Sequence, residues 1–160
     1  MKNTTHLILG MLALTFGMEV KAQIQLPSVF SDGMVLQQNS KVAVWGWGNP
    51  SETLMILSEW NPGDTVRTVV DNQGRWKAEV PTGRAGGPYT LEVKGGNDSR
   101  KVSDVMLGEV WLCSGQSNME WSANMGIMNG EQEVKQAASP SVRIFHNPKQ
   151  GADTPQTDCR

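Results

Sequence analysis

Arg75-Trp76-Lys77-Ala78-Glu79-Val80 sets apolar and charged residues in strict alternation. Successive side chains of an extended chain point to opposite faces, so this hexapeptide has one dry face and one wet face. Tyr89-Thr90-Leu91-Glu92-Val93-Lys94 repeats the scheme, with Tyr89, Leu91 and Val93 inward. Turn clusters separate such runs: Ser31-Asp32-Gly33, Gly48-Asn49-Pro50, Asn61-Pro62-Gly63-Asp64, Asp71-Asn72-Gln73-Gly74, Gly86-Gly87-Pro88 and Gly95-Gly96-Asn97-Asp98. Short strands at this spacing, with no helical pattern between them, predict an all-β antiparallel sandwich, Ig-like, of about seven strands over residues 23–103. Residues 71–74 are expected to close a hairpin between strands at 65–70 and 75–80.

Toward the N-terminus the pattern is of another kind. Lys2 is a short basic region, residues 7–18 are apolar, and Val20-Lys21-Ala22 offers small residues for cleavage before Gln23. This is the layout of a secretory signal peptide over residues 1–22. About 12 apolar residues fall short of the roughly 20 that span a bilayer. The chain is therefore expected to be exported, periplasmic or extracellular, with no membrane attachment beyond the cleaved segment.

At 160 residues the length fits one domain, or one domain and part of another. A net charge of −2 with scattered basic residues leaves no footprint for nucleic acid or an anionic membrane. With only Cys113 and Cys159, no disulfide framework can form. Pairing of the two and a buried free thiol at Cys113 both stay open. Neither has a His or Cys at metal spacing, so no metal and no cofactor is expected.

Beyond Val102 the rhythm changes. A strand-like run over 105–113 leads into Ser114-Gly115-Gln116-Ser117-Asn118. Residues 131–138 then read as a helix, with Val134, Ala137 and Ala138 at i, i+3 and i+4 and a capping box between Asn129 and Gln132. Ser139-Pro140 ends it, and residues 141–146 read as a further strand. Strand, turn, helix and strand make the first βαβ of an α/β domain beginning at residue 104 and running to 160. One such unit cannot cover both faces of a parallel sheet, so this second domain is expected to be incomplete.

A serine hydroxyl is a poor nucleophile unless backbone donors face the developing oxyanion and a base stands beside it. Ser117 follows Gly115, which permits a sharp turn, and its own N–H is a candidate oxyanion donor. Asn118 would support the turn or touch substrate, and Trp121 would line a pocket. A plain polar loop with a helix cap is the competing reading of the same pentapeptide. Six tryptophans invite a sugar-stacking platform, but Trp76 alternates with Ala78 and Val80 and belongs to the core. Trp45 and Trp47 share a strand face, on which one could be exposed. Met119, Met125 and Met128 read as gap fillers.

Gly108-Glu109-Val110-Trp111, followed by Gly115-Gln116-Ser117-Asn118-Met119 and Glu120-Trp121, resembles the nucleophile block of the sialate O-acetylesterase family. These are SGNH-type hydrolases related to carbohydrate acetylesterases. Leu26-Pro27-Ser28-Val29-Phe30-Ser31-Asp32-Gly33-Met34-Val35-Leu36-Gln37, with Gly46-Trp47-Gly48 after it, resembles the entry to the same family's β-rich N-terminal domain. The resemblance implies that Ser117 is the nucleophile of a serine esterase and its N–H an oxyanion donor. It implies an acetylated carbohydrate as substrate: sialic acid, or a plant polysaccharide such as xylan or xyloglucan. Gln116 stands where the commoner form of the block has Asp, so no role is carried over to it. The family's other oxyanion donors, a Gly and an Asn, lie in later blocks, and its base comes from a late Asp-x-x-His. No Asp-x-x-His occurs in this sequence, whose only histidines are His6 and His146. His146 is expected to be a solvated strand-end residue, and Asp153 and Asp158 carry no role. The expectation is an N-terminal portion that is inactive alone, its base lying beyond Arg160. A non-catalytic carbohydrate-binding or spacer module, and an unstable truncated product, are the alternatives.

Overall fold

The computed structural model describes residues 23–147 and 149–159, and the expected signal segment 1–22 lies outside them. Seven strands form among the described residues: β1 (Val35–Gln37), β2 (Lys41–Trp47), β3 (Thr53–Ser58), β4 (Thr65–Val69), β5 (Arg75–Pro81), β6 (Gly86–Gly95) and β7 (Asp98–Gly108). They assemble into a five-stranded sheet, in the order β1-β7-β6-β3-β4, and a two-stranded sheet of β2 and β5. The alternating residues do what their spacing predicts. Trp76, Ala78 and Val80 of β5 are buried, as are Leu54 and Ile56 of β3, Leu91 and Val93 of β6, and Val105 and Leu107 of β7. Residues of both sheets share a single core, and no polar or charged residue among those described is buried in it.

Two expectations about the sheets are corrected. Residues 71–74 do not close a ladder hairpin, because β4 pairs with β3 (Leu54 opposite Thr68) and β5 pairs with β2 (Val44 opposite Ala78). The chain instead turns from one sheet into the other. The Asp71 carboxylate fixes the turn by accepting the Gln73 and Arg75 amides at 2.8 and 2.9 Å. A hairpin would have placed the dry face of β5 beside β4 in one sheet; crossing over lets it cover the dry face of the larger sheet. Nor are the sheets wholly antiparallel. β1 runs parallel to β7, with Val35, Leu36 and Gln37 opposite Met106, Leu107 and Gly108.

Ahead of β1, Gln25 exchanges backbone hydrogen bonds of 2.9 Å with Trp47. The strap passes so near Gly46 that a Cβ there would run into the Gln25 carbonyl oxygen. Only glycine fits under such a close backbone approach, which gives Gly46-Trp47-Gly48 a packing reason.

After Gly108 the expected βαβ is not formed. Residues 110–113 are exposed irregular chain and residues 141–146 make no strand. A short helix, α1 (Gly130–Gln136), stands where residues 131–138 predict one. Its N-cap Asn129 is left-handed (φ 60°) and makes no side-chain cap bond. The Asn129 carbonyl accepts the Gln132 and Glu133 amides at 3.0 Å, so the capping box is absent. Cys113 is exposed rather than buried, and both cysteines are free. The physical reason is common to all of these. A parallel strand needs neighbours and cover on both faces, and Trp111, Leu112, Val134, Ile144 and Phe145 all lie exposed without it.

Candidate active site

The two sequence blocks that single out this chain lie some 70 residues apart, and the fold brings them side by side. Parallel pairing sets Gln37 of β1 opposite Gly108, and the Gln38 amide donates to the Gly108 carbonyl at 2.8 Å. Here the chain leaves the sheet. Gln37 Nε2 donates to Glu109 Oε2 at 3.0 Å, while Gln37 Oε1 accepts the Val110 amide at 2.9 Å. Gln38 Nε2 donates to Glu109 Oε1 at 2.7 Å, and Gln38 Oε1 accepts the Ala85 amide at 2.8 Å. The Gln37 amide foremost, then that of Gln38, holds the Glu109 carboxyl below the usual glutamate range against a smaller opposing effect of lost solvation. This seam fixes the exit of the serine segment. Sequence reasoning missed it, although Gln37 closes one quoted block and Glu109 is the second residue of the other.

A second tie runs back from the far side of that segment. The Arg143 guanidinium donates to the Gly33 carbonyl at 2.9 Å and to the Asp104 carbonyl, and it pairs with the Asp104 carboxylate at 2.9 Å. Arg143 was expected only as the middle of a strand. The same arginine instead anchors residues 141–146 to the Ser31-Asp32-Gly33 turn.

Ser117 opens a 3-10 turn, Ser117–Glu120. It is exposed, and its hydroxyl makes no hydrogen bond among the described residues. The Met119 amide donates to the Gln116 carbonyl at 2.9 Å and that of Trp121 to Asn118 at 3.3 Å. The amides of Ser117 and Asn118 thus stand free at the head of the turn, as the first amides of a helical segment do. Gly115 lies beneath the Met119 side chain, where a Cβ would approach Met119 Cγ to 2.7 Å. Trp121 follows the turn, half exposed, and Lys149 pairs with Glu120. The turn therefore gathers Gly115, Ser117, Asn118 and Trp121 locally. It brings no base to the serine: His146 lies in exposed chain and makes no hydrogen bond or ion pair among the described residues.

Of the tryptophans, Trp76 is buried and Trp60 half-buried, its indole N–H donating to the Pro81 carbonyl at 2.9 Å. Trp45 is partly exposed and borders a cavity of about 660 Å³ lined on its other side by Asn147 and by residues between Gln150 and Cys159. Ser117 does not line that cavity.

No family model matches the chain. Individual relatives do. The chain is 33% identical over 127 residues to sialate O-acetylesterase of Mus musculus, covering 74% of this chain and 23% of that protein. It is 34% identical over 129 residues to sialate O-acetylesterase of Homo sapiens, covering 74% and 24%. Its structure resembles that of a carbohydrate acetylesterase from Xanthomonas citri, with a TM-score of 0.76 and 36% identity, over 86% of this chain and 31% of that one. The chain thus spans less than a quarter of the length of these curated relatives. In sequence and in fold it belongs to the sialate O-acetylesterase family.

Proposed function

We propose that this chain carries the nucleophile of an exported serine esterase that removes O-acetyl groups from carbohydrate. In this reading an Ig-like sandwich runs from residue 23 through the end of β7, past the expected boundary at 103 to Gly108, and the chain beyond it opens an SGNH hydrolase domain. The remainder of that domain supplies the Asp-x-x-His base and further oxyanion donors, and it covers the apolar residues now exposed after Gly108. The observation that carries the reading is the unpartnered Ser117 hydroxyl beside two free amides at the head of an exposed turn. Relatives bearing esterase names support it. A match over 74% of a 160-residue chain includes position 117 wherever it begins.

The chemistry follows from the parts. Ser117 Oγ attacks the acetyl carbonyl, its proton passing to the histidine base, and the carbonyl oxygen becomes an oxyanion facing the Ser117 amide. Collapse expels the sugar hydroxyl, which takes the proton back, and leaves an acetyl-serine that water hydrolyses by the same route. Without a base near Ser117 the 160-residue chain alone is expected to be catalytically silent. The test is hydrolysis of an aryl acetate by this chain and by a longer coding sequence carrying it through an Asp-x-x-His block. The longer protein should turn over, and Ser117→Ala should lower its kcat by about 10⁴-fold or more. Robust turnover by the short chain, abolished in Ser117→Ala, would instead put His146 in the role of base.

A non-catalytic carbohydrate-binding module is the second reading, favoured by the partly exposed Trp45 on the β-rich part. Saturable glycan binding by a protein that stays inactive even with an Asp-x-x-His block would support it.

A further inference from the structure

The seam between the two sequence blocks has a donor and acceptor pattern that one kind of side chain completes. Gln37 Oε1 accepts the Val110 amide at 2.9 Å, and Gln38 Oε1 accepts that of Ala85 at 2.8 Å. With each side-chain oxygen committed to a backbone N–H, both NH2 ends are turned to the same place, where Glu109 stands. Its carboxylate takes one donor on each oxygen, from Gln37 at 3.0 Å and from Gln38 at 2.7 Å. An ionised carboxylate accepts on both oxygens, whereas a carboxamide accepts at one end and donates at the other. A carboxamide at 109 would set two donors face to face. Turning Gln37 over to relieve them would break its bond to Val110.

What the seam aims is the serine segment. Its two glutamines sit on the sandwich: Gln37 lies opposite Gly108, its carbonyl accepts the Thr82 hydroxyl at 2.7 Å, and the Gln38 amide donates to the Gly108 carbonyl at 2.8 Å. Beyond Val110 that support stops. Residues 111–115 are exposed and make no hydrogen bond among the described residues. The direction in which the chain leaves β7 is therefore carried uncorrected as far as the turn Ser117–Glu120. Reactions of this kind are sensitive to such an error, since a misplacement of about 1 Å can cost about 10²-fold in rate. We propose that Glu109 is a positioning residue of the esterase: clasped between Gln37 and Gln38, it sets the exit of the chain that presents Ser117 to its base. The sandwich is then part of the catalytic unit rather than a spacer beside it. This deepens, and rests on, the esterase reading above.

The test uses the longer protein that carries this chain through an Asp-x-x-His block, with an aryl acetate as substrate. Glu109→Gln should lower kcat by about tenfold while KM and the thermal unfolding midpoint stay unchanged. Adding Gln37→Glu exchanges the two groups and restores the pattern. The new carboxylate accepts both the Val110 amide and the NH2 group now at 109, whose oxygen still accepts from Gln38. The double variant should recover most of the lost kcat, whereas Gln37→Glu alone, which sets two carboxylates face to face, should not. A parental kcat in Glu109→Gln, a loss of kcat matched by a fallen unfolding midpoint, or a double variant no faster than Glu109→Gln would each overturn the proposal while Ser117→Ala stays inactive. Turnover that Ser117→Ala leaves intact would remove the esterase reading itself, and this assignment with it.

Discussion

Leu54 and Leu112 are the same side chain in two regions governed by different rules. Leu54 is 0% exposed in β3, and Leu112 is 93% exposed four residues beyond the last strand. Before Gly108 each apolar residue that alternates inward finds another sheet to meet. After it, Trp111, Met128, Ile144 and Phe145 face solvent, and Gly130 is the one buried residue among those described. The difference lies in what each architecture asks of its surroundings. Two facing sheets satisfy one another with a single dry face each. A parallel α/β layer, the architecture proposed for the chain after Gly108, needs cover on both faces, and among the described residues no strand forms there.

The most severe test of the contrast is to make the same truncation on both sides. Leu54→Ala should cost about 2–5 kcal/mol, because burial and close packing are lost together. Leu112→Ala should change stability by less than about 0.5 kcal/mol. Urea unfolding monitored by circular dichroism measures both. Equal costs would mean that Leu112 is covered in solution, and the contrast would fail.

Gly46→Ala sharpens the contrast at the N-terminal end of the sandwich. The added methyl meets the Gln25 backbone, which cannot swing aside as a flexible side chain would. The strap must lift from Trp47 or β2 must shift. The expected loss is about 1–3 kcal/mol, as for overpacking elsewhere. Amide exchange should locate it: the Gln25 amide, bonded to the Trp47 carbonyl at 2.9 Å, should lose protection before those of β3 and β6 do. Unchanged protection at Gln25 would break the packing account of this glycine.

These contrasts show which parts of the molecule its sequence discloses. Strand 75–81 and the stretch 89–94 of β6 announce themselves because alternation is a local property, set by neighbours two residues apart, whereas Gly86-Gly87-Pro88 reads as a turn and lies within β6. The division into five strands and two is not local. Nothing in residues 71–74 says whether the turn returns to the same sheet, since that depends on which dry face lacks a cover. Helix α1 shows in its periodicity, but its cap was misread, because Asn129 uses its carbonyl rather than its side chain. The turn at Ser117 is legible from Gly115 and the surrounding block. The seam of Gln37, Gln38 and Glu109 is not, because exposed polar residues carry no periodic signature. Arg143 was hidden for the opposite reason, set inside an apolar run that imitates a strand.

That seam, where the two regions join, gives the smallest of the expected effects and the most local. Glu109 titrates below its ordinary value of roughly 4.3 because its ionised form accepts from the Gln37 and Gln38 amides. A lowered carboxyl pKa means that the ionised form favours the folded seam. The contribution is complete above the ordinary glutamate value and is lost as pH falls through the lowered one. The reporter is the Val110 amide, bonded to Gln37 Oε1 at 2.9 Å. Its protection factor, corrected for intrinsic exchange, should hold steady above the ordinary range and fall below it. Glu109→Gln should flatten that step. Asp71, also lowered, foremost by the Arg75 amide, will titrate in the same acid range. Its effect should appear at the Gln73 and Arg75 amides and persist in Glu109→Gln. If Val110 protection follows Asp71 rather than Glu109, acid loosens the sandwich as a whole. If it follows Glu109, the exit of the serine segment has its own fastening, separable from the fold that carries it.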